Sequence, residues 1–238
     1  MEKLTNEDYQ DIKSFGSGLL STPMLDKFFG SSGKTDEEIK ELEEKEREEK
    51  RQSVYEKSGV SKMFFKASLE NYNAESDEEK KALKECNNLI ERVRKGNCNE
   101  VLLLYGKYGT GKTHLGSSLI RELGGTYRTS FEMCIEYEGC SDYHSKETKL
   151  QMLVKYSKEP FLVIDEIGRA GKVNTEKEIL AFILNKRYEN LLPTVIITNM
   201  TKPELMNHLG MAMFDRFKEC CISCEFTGES KRKGLRRI

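Results

Sequence analysis

Residues 101–113 read VLLLYGKYGTGKT, a short apolar run that leads straight into a glycine-rich loop. The loop, 106–113, matches the pattern G-x-x-x-x-G-K-[ST], and apolar residues at helical spacing follow it. A strand before this pattern and a helix after it form the context in which such a loop binds phosphates. Glycines let backbone N–H groups approach a polyphosphate closely, and the helix N-terminus adds a partial positive charge. The stretch therefore predicts a strand, a phosphate-binding loop and a helix.

Two side chains at the end of the loop carry its specific chemistry. Lys112 supplies a full positive charge to the β- and γ-phosphate oxygens, and Thr113 offers a hydroxyl group to Mg²⁺. The alternative is a glycine-rich turn with a chance lysine, and the flanking strand and helix patterns argue against it. We expect the ATP-binding residues to be Gly106, Lys107, Tyr108, Gly109, Thr110, Gly111, Lys112, Thr113 and His114.

A second apolar run, FLVI at 161–164, ends in Asp165 and Glu166. A magnesium–nucleotide site needs a carboxylate at the end of a neighbouring strand, and we assign Asp165 to Mg²⁺, bound through water. Glu166 is better placed to polarise a water molecule aimed at the γ-phosphate. Small-molecule kinases do not need such a water activator, whereas hydrolysing ATPases do. The pair therefore predicts a Mg²⁺-dependent ATPase.

A third apolar run, TVII at 194–197, ends in Thr198 and Asn199. The Asn199 amide could hold the attacking water and sense the γ-phosphate, although asparagine is also common in ordinary turns.

Continuous apolar runs that alternate with helical patterns predict a parallel sheet with helices on both sides. Capping-box patterns predict helix starts at Ser76, Thr175 and Thr201, and the helix after Thr175 is expected to bury Ile179, Ile183, Leu184 and Leu191. A weaker strand is expected near 126–131.

Composition excludes several classes of protein. The chain has 238 residues, with 39 Lys and Arg against 40 Asp and Glu, so any nucleic-acid site must be a local patch. No apolar run approaches the roughly 20 residues that a membrane span needs, and the polar N-terminus lacks a signal peptide. The 7 cysteines, an odd number, fit free thiols in a reducing compartment. These features predict a cytoplasmic protein with no membrane partner.

The N-terminal part of the chain differs from the rest. Met24, Leu25, Phe28 and Phe29 fall on one face of a short predicted helix within 1–34. Residues 35–52 include 14 charged residues among 18 and predict a solvated helical linker, because too few apolar residues are present to cover a core. We therefore expect an N-terminal partner-binding segment and linker at 1–52, and an ATPase domain at 53–238.

Several stretches in one order resemble a known family. They are SGV at 58–60, FKASLENY at 65–72, GKYGTGKTH, FLVIDEIG, VIITN, LGMAMFDRF at 209–217 and ESKR at 229–232. Together they resemble the DnaC/DnaI/IstB-like AAA+ ATPases, the bacterial and phage helicase loaders, over about 53–238. The resemblance implies a P-loop α/β fold with a five-stranded parallel sheet, a fifth strand near 219–227 and no C-terminal lid domain.

The resemblance also implies roles for three further residues. Asn199 matches the sensor-1 asparagine, Arg216 the arginine finger that reaches a neighbouring subunit, and Arg232 the sensor-2 arginine. A finger acting in trans implies a ring or spiral of subunits when ATP is bound. The alternatives are a surface salt bridge between Arg216 and Asp215, and membership of a solvated basic tail for Arg232.

The partners implied by the family are a DnaB-type replicative helicase and single-stranded DNA. The face of Met24, Leu25, Phe28 and Phe29 is the candidate helicase-docking surface, unless it packs on its own ATPase domain. Competing functions are an IstB-like transposition helper, a P-loop kinase of a small metabolite, and a nucleotide-gated binding module with little turnover. Aromatic rings that could stack on bases and lysines that could bind phosphates lie between 131 and 156, although an ordinary amphipathic connection would have the same composition. The candidate DNA contacts are Phe131, Tyr137, Tyr143, His144, Lys146, Lys149, Lys155 and Tyr156.

Overall fold

The structure of the protein is a computed structural model that describes residues 36–96, 98–142 and 145–231. The chain divides into two compact units, Met1–Ser53 and Val54–Ile238. Four features of the sequence lie outside the described residues: the predicted apolar face at 24–29, Tyr143, His144 and Arg232. In the part of the chain that is described, every helix is too short or too polar to cross a bilayer.

A charged helix, α1, spans Asp36–Lys57. It covers the segment that the sequence predicts as a helical linker, and most of its described side chains before residue 54 are exposed. Its last turn carries Tyr55, which is buried in the second unit and donates a hydrogen bond from its hydroxyl to the Phe64 carbonyl oxygen at 2.7 Å.

The second unit is built around a five-stranded sheet whose strands are all parallel, in the order β2-β3-β4-β1-β5. The strands are β1 (Val101–Gly106), β2 (Thr126–Thr129), β3 (Leu162–Ile167), β4 (Thr194–Thr198) and β5 (Cys221–Phe226). The helices around them are α2 (Asp77–Arg94), α3 (Lys112–Leu123), α4 (Ser130–Gly139), α5 (Lys149–Lys158), α6 (Val173–Glu189), α7 (Lys202–Leu209) and α8 (Met211–Cys220). This confirms the predicted fold class.

The apolar runs form strands because both faces of the sheet are covered. Leu103 of β1 packs in one hydrophobic cluster, whereas its neighbours Leu102 and Leu104 pack in the other. Successive side chains of a strand point to opposite faces, so a central strand buried on both sides must be apolar throughout. The carboxyl ends of all five strands lie at one edge of the sheet, and this edge carries the polar residues that the sequence singles out.

The start of α6 differs from the prediction. The helix begins at Val173 with Lys172 as its N-cap, and no side chain caps it, so the expected capping box from Thr175 to Glu178 does not form. The physical reason is a tertiary contact: Glu176 accepts a hydrogen bond from the Gly168 N–H at 2.9 Å and pairs with His208 at 3.0 Å. These contacts hold the first turn of α6 against the end of β3. The capping boxes at Ser76 and Thr201 are confirmed.

The predicted burial of Leu191 is wrong. The helix ends at Glu189, and Leu191 lies in the following turn with φ 55° and 62% of its surface exposed. Helical spacing no longer places a side chain on the core face once the backbone has left the helix. Ile179, Ile183 and Leu184 are buried as predicted.

Replacing Ile183 by alanine is expected to lower the free energy of unfolding by about 2–5 kcal/mol, because Ile183 is 0% exposed and the change leaves a cavity in the core. The matched control is Leu191→Ala, which removes an exposed side chain and should change stability by less than about 0.5 kcal/mol. Urea unfolding followed by circular dichroism measures both. Equal losses of stability in the two variants would contradict the packing described here.

Candidate nucleotide-binding site

The loop between β1 and α3 is built on glycines with positive φ. Gly106 has φ 115°, and a Cβ atom there would lie 2.4 Å from the Phe226 carbonyl oxygen, so only glycine fits beside β5. Gly111 caps α3 with φ 96° and provides no side-chain hydrogen bond to the first turn. The first N–H groups of a helix lack intrahelical partners, so the start of α3 suits an anion.

Lys112 lies inside this loop. Its ammonium group donates hydrogen bonds to the carbonyl oxygens of Gly106 at 2.9 Å and Lys107 at 2.6 Å. The side chain is buried, so its charge is held at the loop rather than in solvent. A phosphate oxygen entering the loop could take the place of these carbonyl partners, because an ammonium group binds an anion more strongly than a neutral acceptor.

Thr113 and Asp165 come together although 52 residues separate them in sequence. The Thr113 hydroxyl donates to Asp165 Oδ2 at 2.8 Å, and the Tyr127 hydroxyl donates to the same oxygen at 2.5 Å. Asp165 is 2% exposed. Burial raises the pKa of Asp165, and the hydrogen bonds from Tyr127 and Thr113 partly offset this. A hydroxyl and a carboxylate at one point are oxygen ligands of the kind that Mg²⁺ takes, so these residues fit that ion.

Glu166 lies next to this point in an unusual backbone conformation. Its φ is 58°, and the pairing of β3 with β4 has an irregularity between Ile164 and Ile167. Such bulges redirect a side chain near functional sites. The Glu166 carboxylate forms an ion pair with Arg169 at 3.0 Å, and the Arg169 guanidinium lies 5.3 Å from the centre of the Tyr108 ring. The ion pair uses Oε1 of Glu166, and the Glu166 side chain is 43% exposed, so solvent water reaches it.

Asn199 directly follows β4 and is half-buried. The residue before it, Thr198, donates a hydrogen bond from its hydroxyl to the Ile167 carbonyl oxygen at 2.8 Å. This bond ties the end of β4 to the end of β3. Asn199 therefore follows a strand end that is fixed to the strand carrying Asp165 and Glu166.

Arg216 lies on α8, on a part of the chain that packs against α6. It donates a hydrogen bond to the Asn185 amide oxygen, and its guanidinium lies 5.5 Å from the centre of the Tyr188 ring. Asp215, the alternative partner considered from the sequence, forms an ion pair with Lys218 at 2.7 Å. The role of Arg216 as a finger stays a prediction.

Two segments pack on the phosphate loop, one around Tyr72 before β1 and one at Lys231 after β5, and no pattern in the sequence predicts this. The Lys231 N–H donates to the Gly109 carbonyl oxygen at 2.9 Å, and its ammonium group pairs with Glu79 at 3.0 Å. The same ammonium lies 4.7 Å from the centre of the Tyr72 ring, and the Tyr72 hydroxyl donates to the Thr110 carbonyl oxygen at 3.3 Å. The only sequence signal for this contact is the presence of both stretches in the family resemblance.

His114 contacts the preceding segment of the chain. Its Nε2 atom lies 3.0 Å from the Ser68 carbonyl oxygen, and its ring centre lies 5.4 Å from that of Tyr72. These contacts fix the first turn of α3 against residues 65–72. A contact between His114 and the nucleotide stays a prediction.

The candidate DNA-binding stretch folds into α4 and α5, and this changes which of its side chains are accessible. Tyr156 is fully buried and its hydroxyl donates to Glu136, so its interpretation as a stacking ring is wrong. The helical period of α5 turns this residue towards the core. Phe131 is 48% exposed, whereas Tyr137 is partly buried with the Lys149 ammonium 4.6 Å from its ring centre.

Comparison with known proteins places these features in context. A family model described as IstB-like ATP binding protein matches residues 26–237. The replicative helicase loader DnaC of Escherichia coli strain K12 is 30% identical over 181 residues, which cover 74% of this chain and 73% of that protein. Two crystal structures support the fold. The DnaC helicase loader has a TM-score of 0.60 and 20% identity, and the match covers 70% of this chain and 100% of that chain. DnaI has a TM-score of 0.58 and 22% identity, and the match covers 71% of this chain and 95% of that chain.

Proposed function

This chain belongs to the IstB-like ATP-binding family as a DnaC-like AAA+ ATPase, and from that premise we propose that it hydrolyses ATP to load a DnaB-type replicative helicase onto single-stranded DNA. Residues 53–238 form the ATPase domain in this proposal, and residues 1–52 dock the helicase and link it to that domain. The proposed role belongs in the cytoplasm.

The observation that carries the ATPase part is the contact of Thr113 with Asp165 at 2.8 Å, beside a buried Lys112. These three side chains supply a hydroxyl, a carboxylate and an ammonium group, the set that P-loop ATPases use. Bound Mg²⁺ would neutralise charge on the β- and γ-phosphate oxygens. Thr113 would bind the ion directly and Asp165 through water, while Lys112 contacts the phosphates themselves.

The remaining roles concern the water molecule and the transferred phosphoryl group. Glu166 would accept a proton from the attacking water, which the Asn199 amide would orient. Arg216 of one subunit would stabilise the charge on the γ-phosphate of the next. Arg232 is proposed to contact the nucleotide of its own subunit, which is supported by the packing of Lys231 on the loop. A single subunit would then bind ATP but turn it over slowly.

Replacing Lys112 by alanine is expected to weaken ATP binding about 10- to 150-fold, because hydrogen bonds to a charged group are worth about 1.5–3 kcal/mol. Titration calorimetry with a non-hydrolysable ATP analogue measures the affinity. Lys84→Ala, an exposed lysine on α2, is the matched control and should bind the analogue as the wild type does. Unchanged affinity in Lys112→Ala would remove this lysine from the site.

The loader role is supported by the 30% identity with the replicative helicase loader DnaC. The experiment that tests it is the ATP hydrolysis rate against protein concentration, with and without single-stranded DNA and a DnaB-type helicase. We expect the rate per subunit to rise with protein concentration and to rise further with both partners. A rate per subunit that stays constant under all these conditions would contradict the proposal.

A transposition helper is the second candidate, because the matching family model is described as IstB-like and spans 26–237. Both functions use the same nucleotide site, so only the protein partner separates them. A pull-down with the tagged full chain, ATP and either a DnaB-type helicase or an IS21-type transposase distinguishes the two. Retention of the helicase but not the transposase is expected.

A further inference from the structure

We infer that Tyr127 is a positioning residue for the metal ion: its hydroxyl fixes the Asp165 carboxylate so that Thr113 keeps a proton acceptor and presents its oxygen to Mg²⁺. The inference rests on the proposed Mg·ATP site. It adds a residue from β2, a strand to which neither the loop pattern nor the acidic pair belongs.

The contacts of Asp165 carry the inference. Oδ2 accepts one hydrogen bond from Tyr127 at 2.5 Å and one from Thr113 at 2.8 Å, while Oδ1 accepts the Glu166 N–H at 2.6 Å. Both oxygens of the carboxylate therefore have donors, from three different parts of the site. Rotation of the carboxylate would break at least one of these bonds within a buried environment, where unmade hydrogen bonds are costly.

Tyr127 is itself held rigidly enough to fix another group. It is 6% exposed, pairs with Val163 in the sheet, and donates a backbone hydrogen bond to the Ser58 carbonyl oxygen at 2.8 Å. Its hydroxyl thus reaches Asp165 from a strand position that is anchored on both sides. Groups that orient a metal-binding residue work best when they lie on such rigid elements.

Tyr127 affects the metal ion through Thr113, because both hydroxyl groups donate hydrogen bonds to the same oxygen of Asp165. The Thr113 hydroxyl donates its proton to Asp165, so its lone pairs stay free for a cation. If Asp165 turned away, Thr113 would need another acceptor for that proton. Removing a group that orients a metal-binding residue typically lowers metal affinity 10- to 100-fold. We expect a loss of about that size when the Tyr127 hydroxyl is removed.

The test uses Tyr127→Phe in the full chain, which keeps the ring and removes only the hydroxyl. The dissociation constant of a non-hydrolysable ATP analogue is measured by calorimetry in EDTA and in Mg²⁺, and the ratio of the two constants reports how strongly metal and nucleotide are coupled. We expect this ratio to fall about tenfold in Tyr127→Phe, while the constant in EDTA stays at the wild-type value.

Tyr105→Phe is the matched control, because Tyr105 is another buried strand tyrosine whose hydroxyl bonds a carboxylate, that of Glu225 at 3.3 Å. It should leave the ratio unchanged. In an Asp165→Ala background, Tyr127→Phe should cause no further change, since the tyrosine acts through that carboxylate. An unchanged ratio in Tyr127→Phe, or an equal fall in the Asp165→Ala background, would overturn the inference.

A measurement on the wild type covers the case in which Tyr127→Phe does not fold. With ¹³Cζ-labelled tyrosine, Mg²⁺ added to the analogue-bound protein should shift the assigned resonance of Tyr127, and this shift should be absent in Asp165→Ala. If Mg²⁺ leaves the Tyr127 resonance unshifted, the inference is wrong. Failure of the proposed function gives a different result, because the wild-type protein would then show no effect of Mg²⁺ on nucleotide affinity.

Discussion

Replacing Arg216 by alanine is expected to lower stimulated ATP hydrolysis about 1000-fold while leaving ATP affinity close to the wild-type value, because arginine fingers typically contribute at least this much. In the single chain, Arg216 contacts the amide of Asn185 and the ring of Tyr188, both neutral groups. A carboxylate is also near, because the pKa of Glu189 is lowered by its hydrogen bond from Lys186 and, to a smaller extent, by the charge of Arg216. As a finger, Arg216 would exchange these contacts for a phosphate of a neighbouring subunit. The measurement is the hydrolysis rate in the presence of single-stranded DNA and helicase.

Lys218→Ala is the matched control, since Lys218 lies on the same helix, is exposed and pairs with Asp215. It should keep most of the stimulated rate. A mixture of two inactive variants tests more directly whether Arg216 acts on the nucleotide of a neighbouring subunit. Arg216→Ala has an intact nucleotide site, whereas Glu166→Gln has an intact arginine, so a mixture should hydrolyse ATP faster than either variant alone. A mixture no faster than its components would show that Arg216 does not act on a neighbour's nucleotide.

Replacing Glu166 by glutamine is expected to lower ATP turnover about 100- to 10,000-fold, because a positioned general base typically contributes that much. The change keeps the shape of the side chain and removes its charge, so the analogue should still bind. Single-turnover hydrolysis and calorimetry separate the two effects. Glu178→Gln, an exposed glutamate on α6, is the matched control and should hydrolyse ATP at the wild-type rate.

The ion pair with Arg169 needs its own control, because Glu166→Gln also breaks it. Arg169→Ala breaks the same pair but leaves the carboxylate in place. If Glu166 activates water, Arg169→Ala should retain turnover, whereas Glu166→Gln should not. Equal loss of turnover in both variants would mean that the ion pair, and not the general base, supports hydrolysis.

The sequence was sufficient for the framework of the site because its signals are local. The loop at 106–113 and the acidic pair after β3 each follow an apolar run, and parallel strands bring their carboxyl ends to one edge. Thr113 and Asp165 could therefore be expected near each other without any knowledge of their contacts. The helix starts at Ser76 and Thr201 were predictable for the same reason, since a capping box lies within four residues.

The contacts that complete the site could not be predicted, because they join segments that are distant in sequence and have no periodic signal. Tyr127 reads as an ordinary strand residue, yet its hydroxyl reaches Asp165. Arg169 belongs to none of the sequence patterns, yet it forms an ion pair with Glu166. The failed helix start at Thr175 has a related cause, since the contacts of Glu176 with Gly168 and His208 outweigh a local capping preference.

Two wrong expectations have a common physical origin in helix geometry. Helical spacing predicts Leu191 on the core face of α6, but the helix ends before it, and the side chain is exposed. The composition of its segment predicts Tyr156 as an accessible ring, but its position on α5 directs it into the core. A shift of one or two residues in the end of a helix, or in its facing direction, reverses burial while the composition of the segment stays the same.

The most direct test of the account is an experimental structure of the assembled protein with a non-hydrolysable ATP analogue and Mg²⁺. The β- and γ-phosphates should lie in the loop 106–113 beside Lys112, with the metal ion bound to the Thr113 hydroxyl and reached through water by Asp165. A nucleotide bound elsewhere, or a metal ion remote from both Thr113 and Asp165, would contradict it.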